Sequence, residues 1–110
     1  MNVINALKSL SALSHETRLW VFRLLVQAGP AGLPAGEIAE SLGSPQNTMS
    51  SHLRILADAK LITRRRSGRS IVYRANYEAV RGLVLFLMED CCAGNSAVCR
   101  PVAESLAATA

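Results

Sequence analysis

The stretch Pro34–Arg74, PAGEIAESLGSPQNTMSSHLRILADAKLITRRRSGRSIVYR, contains two helical patterns followed by a basic hairpin pattern. Pro34 has a backbone preset for a first helical turn; Ile38, Ala39 and Leu42 then recur at helical intervals, and Gly43 stands where a left-handed stop is wanted. Ser44 is placed to cap a second helix and Pro45 to occupy its first turn, after which Met49, Leu53 and Leu56 form one apolar stripe at i, i+4 and i+7. The other face offers Gln46, Asn47, Ser50, Ser51 and Arg54. Amides, small hydroxyls and one guanidinium make a surface that can enter a major groove and hydrogen-bond base edges. Any solvated helix also shows a polar face, so this pattern alone leaves both readings open.

The distribution of charge separates them. From Lys60 to Arg74 there are six basic residues (Lys60, Arg64, Arg65, Arg66, Arg69, Arg74) and no acid, while the remainder of the chain has six basic against eight acidic residues, so the net charge of +4 comes from this one segment. Ile62 to Arg65 and Ile71 to Arg74 are β-branched, arginine-rich runs, and Ser67-Gly68 between them supplies a turn. A basic ribbon beside a polar helix can reach phosphates or an adjacent minor groove, with Arg66 and Arg69 as its backbone contacts. A charge run in isolation is usually a solvated face; next to the helix pair, double-stranded DNA is the expected partner.

Upstream, Val3, Leu7 and Leu10 make a light apolar stripe, and Ser14 is placed to cap a helix whose Leu19, Phe22, Leu25 and Val26 face inward. Gln27 to Pro34 reads as a connecting loop. Downstream, Tyr77, Val80, Leu83, Val84 and Leu87 set a helical stripe, yet Leu83 to Met88 is apolar at every position. A chain of 110 residues has little core in which to bury that surplus, so a second copy is its natural cover. A two-fold dimer would set two reading helices about one DNA turn apart, roughly 34–36 Å. The expected fold is mainly α with a small β-hairpin, a winged helix-turn-helix. Residues 1–90 form its DNA-binding and dimerisation domain, and residues 91–110 form a tail. No stretch approaches a membrane span and no signal-peptide pattern opens the chain, so a cytoplasmic location is expected.

The ordered set Leu13-Ser14-His15-Glu16-Thr17-Arg18-Leu19, Gly36-Glu37-Ile38-Ala39, Ser50-Ser51-His52-Leu53-Arg54-Ile55-Leu56, and Leu61-Ile62-Thr63 with Arg66-Ser67-Gly68-Arg69 and Tyr73 resembles the ArsR/SmtB-type winged-helix repressors over about residues 5 to 90. The resemblance implies a homodimer joined through its first and last helices that represses its own operon until an inducer, often a metal ion or metalloid, weakens its hold on DNA. Many members carry a cysteine pair in the helix before the recognition helix; here that helix, Glu37 to Leu42, has no thiol. Others use histidines and carboxylates along the last helix. The two histidines here, His15 and His52, lie elsewhere and read as structural, one at a helix start and one beside the recognition-helix stripe.

All three cysteines fall in the tail, Asp90-Cys91-Cys92-Ala93-Gly94-Asn95-Ser96-Ala97-Val98-Cys99. Thiolates suit soft centres, and trivalent arsenic or antimony takes three sulfurs in a pyramid. Cys91 and Cys92 are adjacent donors, and the Gly94-Asn95-Ser96 segment allows Cys99 to return as the third. The tail resembles the cysteine pair with a downstream cysteine of an arsenite-responsive branch of the family. Arsenite or antimonite is thus the expected inducer, with no resident cofactor required. Reversible oxidation of the same clustered thiols, a redox-sensing repressor, is the alternative. An enzyme is not expected: there is no nucleophile motif, no glycine-rich phosphate loop and no Cys-x-x-Cys in a βαβ pattern.

Overall fold

The computed structural model describes residues 1–88, 100–101 and 104–105. Between Val3 and Met88 five helices and three strands follow one another as α1 (Val3–Leu13), α2 (Glu16–Ala28), β1 (Leu33–Pro34), α3 (Ala35–Leu42), α4 (Gln46–Asp58), β2 (Ile62–Ser67), β3 (Ser70–Ala75) and α5 (Tyr77–Met88). This is the expected winged helix-turn-helix: α3 and α4 are the helix pair, and β2 and β3 are the wing.

The C-terminal end of α3 follows from local chemistry. Gly43 takes the left-handed conformation at φ 61°, and the Ser44 N–H returns to the Ala39 carbonyl at 3.0 Å, closing the last turn. Pro34 differs from expectation. It is extended at φ −64°, ψ 151° and stands just before the helix, because Leu33 and Pro34 form β1, opposite Tyr73 and Val72 of β3. A two-residue strand leaves no alternation to read, which is why the segment reads as loop in the sequence. The sheet order is β1-β3-β2, with both pairings antiparallel.

Two caps shift by one residue. His15, not Ser14, caps α2, its Nδ1 accepting the Thr17 N–H at 3.2 Å. Ser44 does not cap α4; Pro45 occupies that position without a side-chain hydrogen bond, and the helix starts at Gln46. The turn of the wing also moves: Ser67 pairs with Ser70, so Gly68 and Arg69 form it, with Gly68 at φ 62°. Arg69 therefore sits at the tip.

The core gathers Val21, Phe22 and Leu25 of α2, Ile38 and Ala39 of α3, Met49, Leu53 and Leu56 of α4, and Leu61, Ile62, Tyr73 and Ala75 around the sheet. The α4 stripe is as expected. On α2 the inward set is Val21, Phe22 and Leu25, whereas Leu19 and Val26 are exposed. They lie on the flanks of the helix, and the face turned to α4 is narrower than the apolar composition suggested. On α1 the small residues Ala6, Ser9 and Ala12 are buried, and the stripe of Val3, Leu7 and Leu10 faces outward. Of α5, Leu83 is buried and Val80 packs on the core, while Val84, Leu85 and Leu87 are exposed. Arg18 Nε donates to the Ala12 carbonyl at 2.6 Å, fastening α2 to the end of α1. No helix among the described residues is long and apolar enough to cross a membrane.

Candidate nucleic-acid interface

The polar face of α4 follows from burial of its stripe. With Met49, Leu53 and Leu56 fixed inward at 1%, 1% and 0% exposure, Gln46, Asn47, Ser50, Ser51 and Arg54 are exposed on the other side. Two of these groups are already engaged: Ser50 Oγ donates to the Gln46 carbonyl at 3.0 Å, and Asn47 Oδ1 accepts the Thr48 N–H at 2.9 Å. Ser50 would have to exchange this bond to donate to a ligand.

Beside this face runs a groove of ≈ 710 Å³ between α4 and the wing. Ser50, Ser51, Arg54 and Asp58 line it from the helix, and Thr63 and Arg64 from β2, over a floor that includes Leu53, Ile62 and Tyr73. Sequence reasoning misses Thr63, Arg64 and Asp58 as groove residues. Strand alternation was the available signal, since an inward Ile62 places Arg64 and Arg66 on its own side and Arg65 on the other. Arg66 is exposed farther along that side, opposite Ile71, and Arg69 is exposed at the tip. The structure thus brings Ser50, Ser51 and Arg54 of the helix and Arg64 of the wing to one groove, with Arg66 farther along the same side of β2 and Arg69 at the tip of the wing.

His15 and His52, read as structural, meet each other. Their ring centroids lie 4.6 Å apart at 47°. His52 Nδ1 is buried and finds no hydrogen-bond partner among the described residues. Burial, with the charges of His15 and Arg18 adding to it, holds the His52 pKa below its ordinary 6.5. A histidine with a lowered folded pKa contributes stability that is complete above the unfolded value and is lost as pH falls below about 6.5 and through the folded value. The urea midpoint is therefore expected to drop between pH 7.5 and pH 5.5, and His52→Gln should flatten that part of the curve. An unchanged slope in His52→Gln would assign the acid sensitivity to other groups. Among the described residues no group of three or more His, Cys, Asp or Glu side chains is placed to hold a metal ion. Cys91, Cys92 and Cys99, together with most of the expected 91–110 tail, lie outside the described residues.

A polar helix and a basic hairpin flanking one groove, on a winged helix-turn-helix scaffold, agree with the known proteins that this chain resembles. Residues 13–65 match the helix-turn-helix domain family. The transcriptional regulator YgaV of Escherichia coli is 32% identical over 83 residues, covering 76% of this chain and 82% of the relative. The chain belongs to the ArsR/SmtB-type winged helix-turn-helix regulators. Among solved structures, the homodimeric DNA-binding domain of Mb0332 from Mycobacterium bovis, a possible ArsR-family regulator, superimposes with a TM-score of 0.66 at 24% identity, covering 82% of each chain. The crystal structure of a "possible transcriptional regulator for arsenical resistance" gives a TM-score of 0.65 at 25% identity, covering 88% of this chain and 95% of that one. Membership of the ArsR/SmtB type makes this chain a transcriptional regulator, with α4 in the place of the recognition helix.

Proposed function

We propose that this ArsR/SmtB-type regulator is a cytoplasmic repressor that holds operator DNA as a homodimer and releases it when trivalent arsenic or antimony binds Cys91, Cys92 and Cys99. The observation that carries the DNA half of the reading is the groove that α4 and β2 share, with exposed Arg54 and Arg64 on its two walls and Arg66 and Arg69 beyond. Gln46, Asn47, Ser50, Ser51 and Arg54 face base edges or nearby phosphates, and Arg66 and Arg69 bear on the backbone. The dimer half is supported by the outward apolar faces of α1 and α5 and by the homodimeric state of the Mb0332 domain.

The sensor half rests on the donor set. Three thiolates within nine residues match the coordination that a pyramidal trivalent centre requires, and a related fold belongs to a possible regulator of arsenical resistance. Residues 1–90 then make the DNA-binding and dimerisation domain, and residues 91–110 the sensor tail. Cys91 follows Met88, the last described residue of α5, by three positions in the sequence, which puts the proposed sensor close along the chain to the proposed dimer helix. For release, the ion must bind the free dimer more tightly than the DNA-bound one. A coupling of about 1–3 kcal/mol gives roughly 5- to 150-fold weaker operator binding.

Fluorescence anisotropy on labelled DNA from upstream of the gene, with reduced protein and arsenite titrated in, tests the proposal. Wild type is expected to bind and then release at stoichiometric arsenite, whereas Cys91→Ser binds equally well and does not release. A variant that still releases would remove Cys91 from the site. Tight binding that ignores arsenite and yields to an oxidant would replace the metalloid with thiol oxidation.

A further inference from the structure

The five wing arginines Arg64, Arg65, Arg66, Arg69 and Arg74 look equivalent in the sequence, but the strand register divides them. Ile62 pairs with Ala75, and Arg64 with Tyr73; Ile62, Ala75 and Tyr73 are all buried, so this side of the hairpin faces the protein and the groove beneath α4. Arg65 pairs with Val72 on the far side. Thr63 and Arg74 pair with each other, and Arg74 Nε donates to Thr63 Oγ1 at 3.3 Å, so Arg74 is engaged within the wing.

We propose that Arg64, facing Arg54 across the groove, grips a single DNA phosphate between the recognition helix and the wing, and that Asp58 in the same groove limits the strength of that grip. This deepens the DNA-binding reading above and rests on it. A helix lying in a major groove and a wing reaching the adjacent minor groove are separated by one sugar-phosphate strand. The space between α4 and β2 is where that strand must pass. Its walls are suited to a phosphate, since guanidiniums from Arg54 and Arg64 and the hydroxyl of Ser51 give charged and neutral donors for the anionic oxygens. A guanidinium can present two parallel N–H groups to a phosphate, which fixes orientation as well as charge.

Asp58 is the single acid among the lining residues. It stands one helical turn beyond Arg54 on α4 and would bring a carboxylate toward the same phosphate. Its effect on affinity is therefore opposite in sign to that of Arg64. A regulator that must let go when induced gains from a hold that is not maximal.

The test is operator affinity measured over a salt series for wild type, Arg64→Ala, Arg64→Lys, Arg65→Ala and Asp58→Asn, with circular dichroism melts to confirm folding. Arg64→Ala should lower affinity roughly tenfold at low salt and reduce the slope of log affinity against log salt by about one unit. Arg64→Lys should restore the slope but only part of the affinity, because the charge returns without the fork. Arg65→Ala should cost less than Arg64→Ala, and Asp58→Asn should tighten binding about two- to fivefold. Equal losses for Arg64→Ala and Arg65→Ala, or an unchanged slope in Arg64→Ala, would overturn the assignment while operator binding by wild type still stood. Weaker binding by Asp58→Asn would overturn the role of the carboxylate. A wild-type protein that binds no operator at all would overturn the underlying DNA reading, a distinct result.

Discussion

Replacing Leu85 with Glu is expected to give a folded monomer whose operator affinity is roughly 10²- to 10⁴-fold weaker than that of wild type. Leu85 is 58% exposed on α5, and on α1 Ile4 is 76% and Leu7 61% exposed. The two helices touch, and Met1 ahead of α1 lines one cleft with Leu85, Phe86 and Met88, so this side of α5 adjoins the start of α1. Monomers rarely leave contiguous apolar patches larger than a few hundred Å² in water, and each large aliphatic side chain covered by a partner contributes about 1.5–3 kcal/mol. In the proposed two-fold dimer the substitution is made twice, and each carboxylate would enter the interface without a partner. Leu85 is outside the monomer core, which on this helix is held by Leu83 and Val80, so the subunit should keep its fold. The affinity falls because each recognition helix then binds alone, without the high effective concentration that a linked second half-site provides. Sedimentation velocity and anisotropy on the same samples check both parts. A dimer that survives Leu85→Glu with undiminished affinity would place the subunit contact elsewhere.

The second large effect is on stability. Gly32→Ala is expected to cost about 3 kcal/mol or more, a sizeable part of the 5–15 kcal/mol typical of a small domain. Gly32 has φ +68°, where a side chain is disfavoured, and a Cβ there would overlap the Tyr73 carbonyl oxygen and lie 3.0 Å from its carbon. The obstacle is backbone of β3, which is paired with Leu33 on one side and Arg64 on the other. It cannot give way without opening the sheet that supports the wing. Gly68→Ala is the control: φ is +62° but nothing lies within 4 Å, so only the conformational cost, about 1–2 kcal/mol, applies. Urea denaturation measures the difference. Equal losses for the two variants would show that the approach of β3 to Gly32 does not constrain this turn.

The helix pair and the wing were legible because their signals are local. Met49, Leu53 and Leu56 recur at the helical period, Gly43 has the freedom that its left-handed stop requires, and the paired runs of the wing flank a glycine turn. Helix caps were less legible. Ser14 and His15 are neighbours that can both accept a backbone N–H, and the imidazole is the one that meets Thr17. β1 was invisible because Pro34 extends to pair with β3, a partner nearly forty residues downstream.

Composition and spacing alone specified a polar-faced recognition helix, a basic hairpin and a thiol cluster, because helical period, turn chemistry and residue type are properties of short segments. Tertiary packing decided which side of each segment is used. It turned Val3, Leu7 and Leu10 outward by packing α1 through Ala6, Ser9 and Ala12, and it brought His15 against His52. It also separated Arg64 from Arg65, since burial of Ile62 against the core sets the parity of every residue that follows along β2. A strand has two faces, and only the protein packed beneath it distinguishes them.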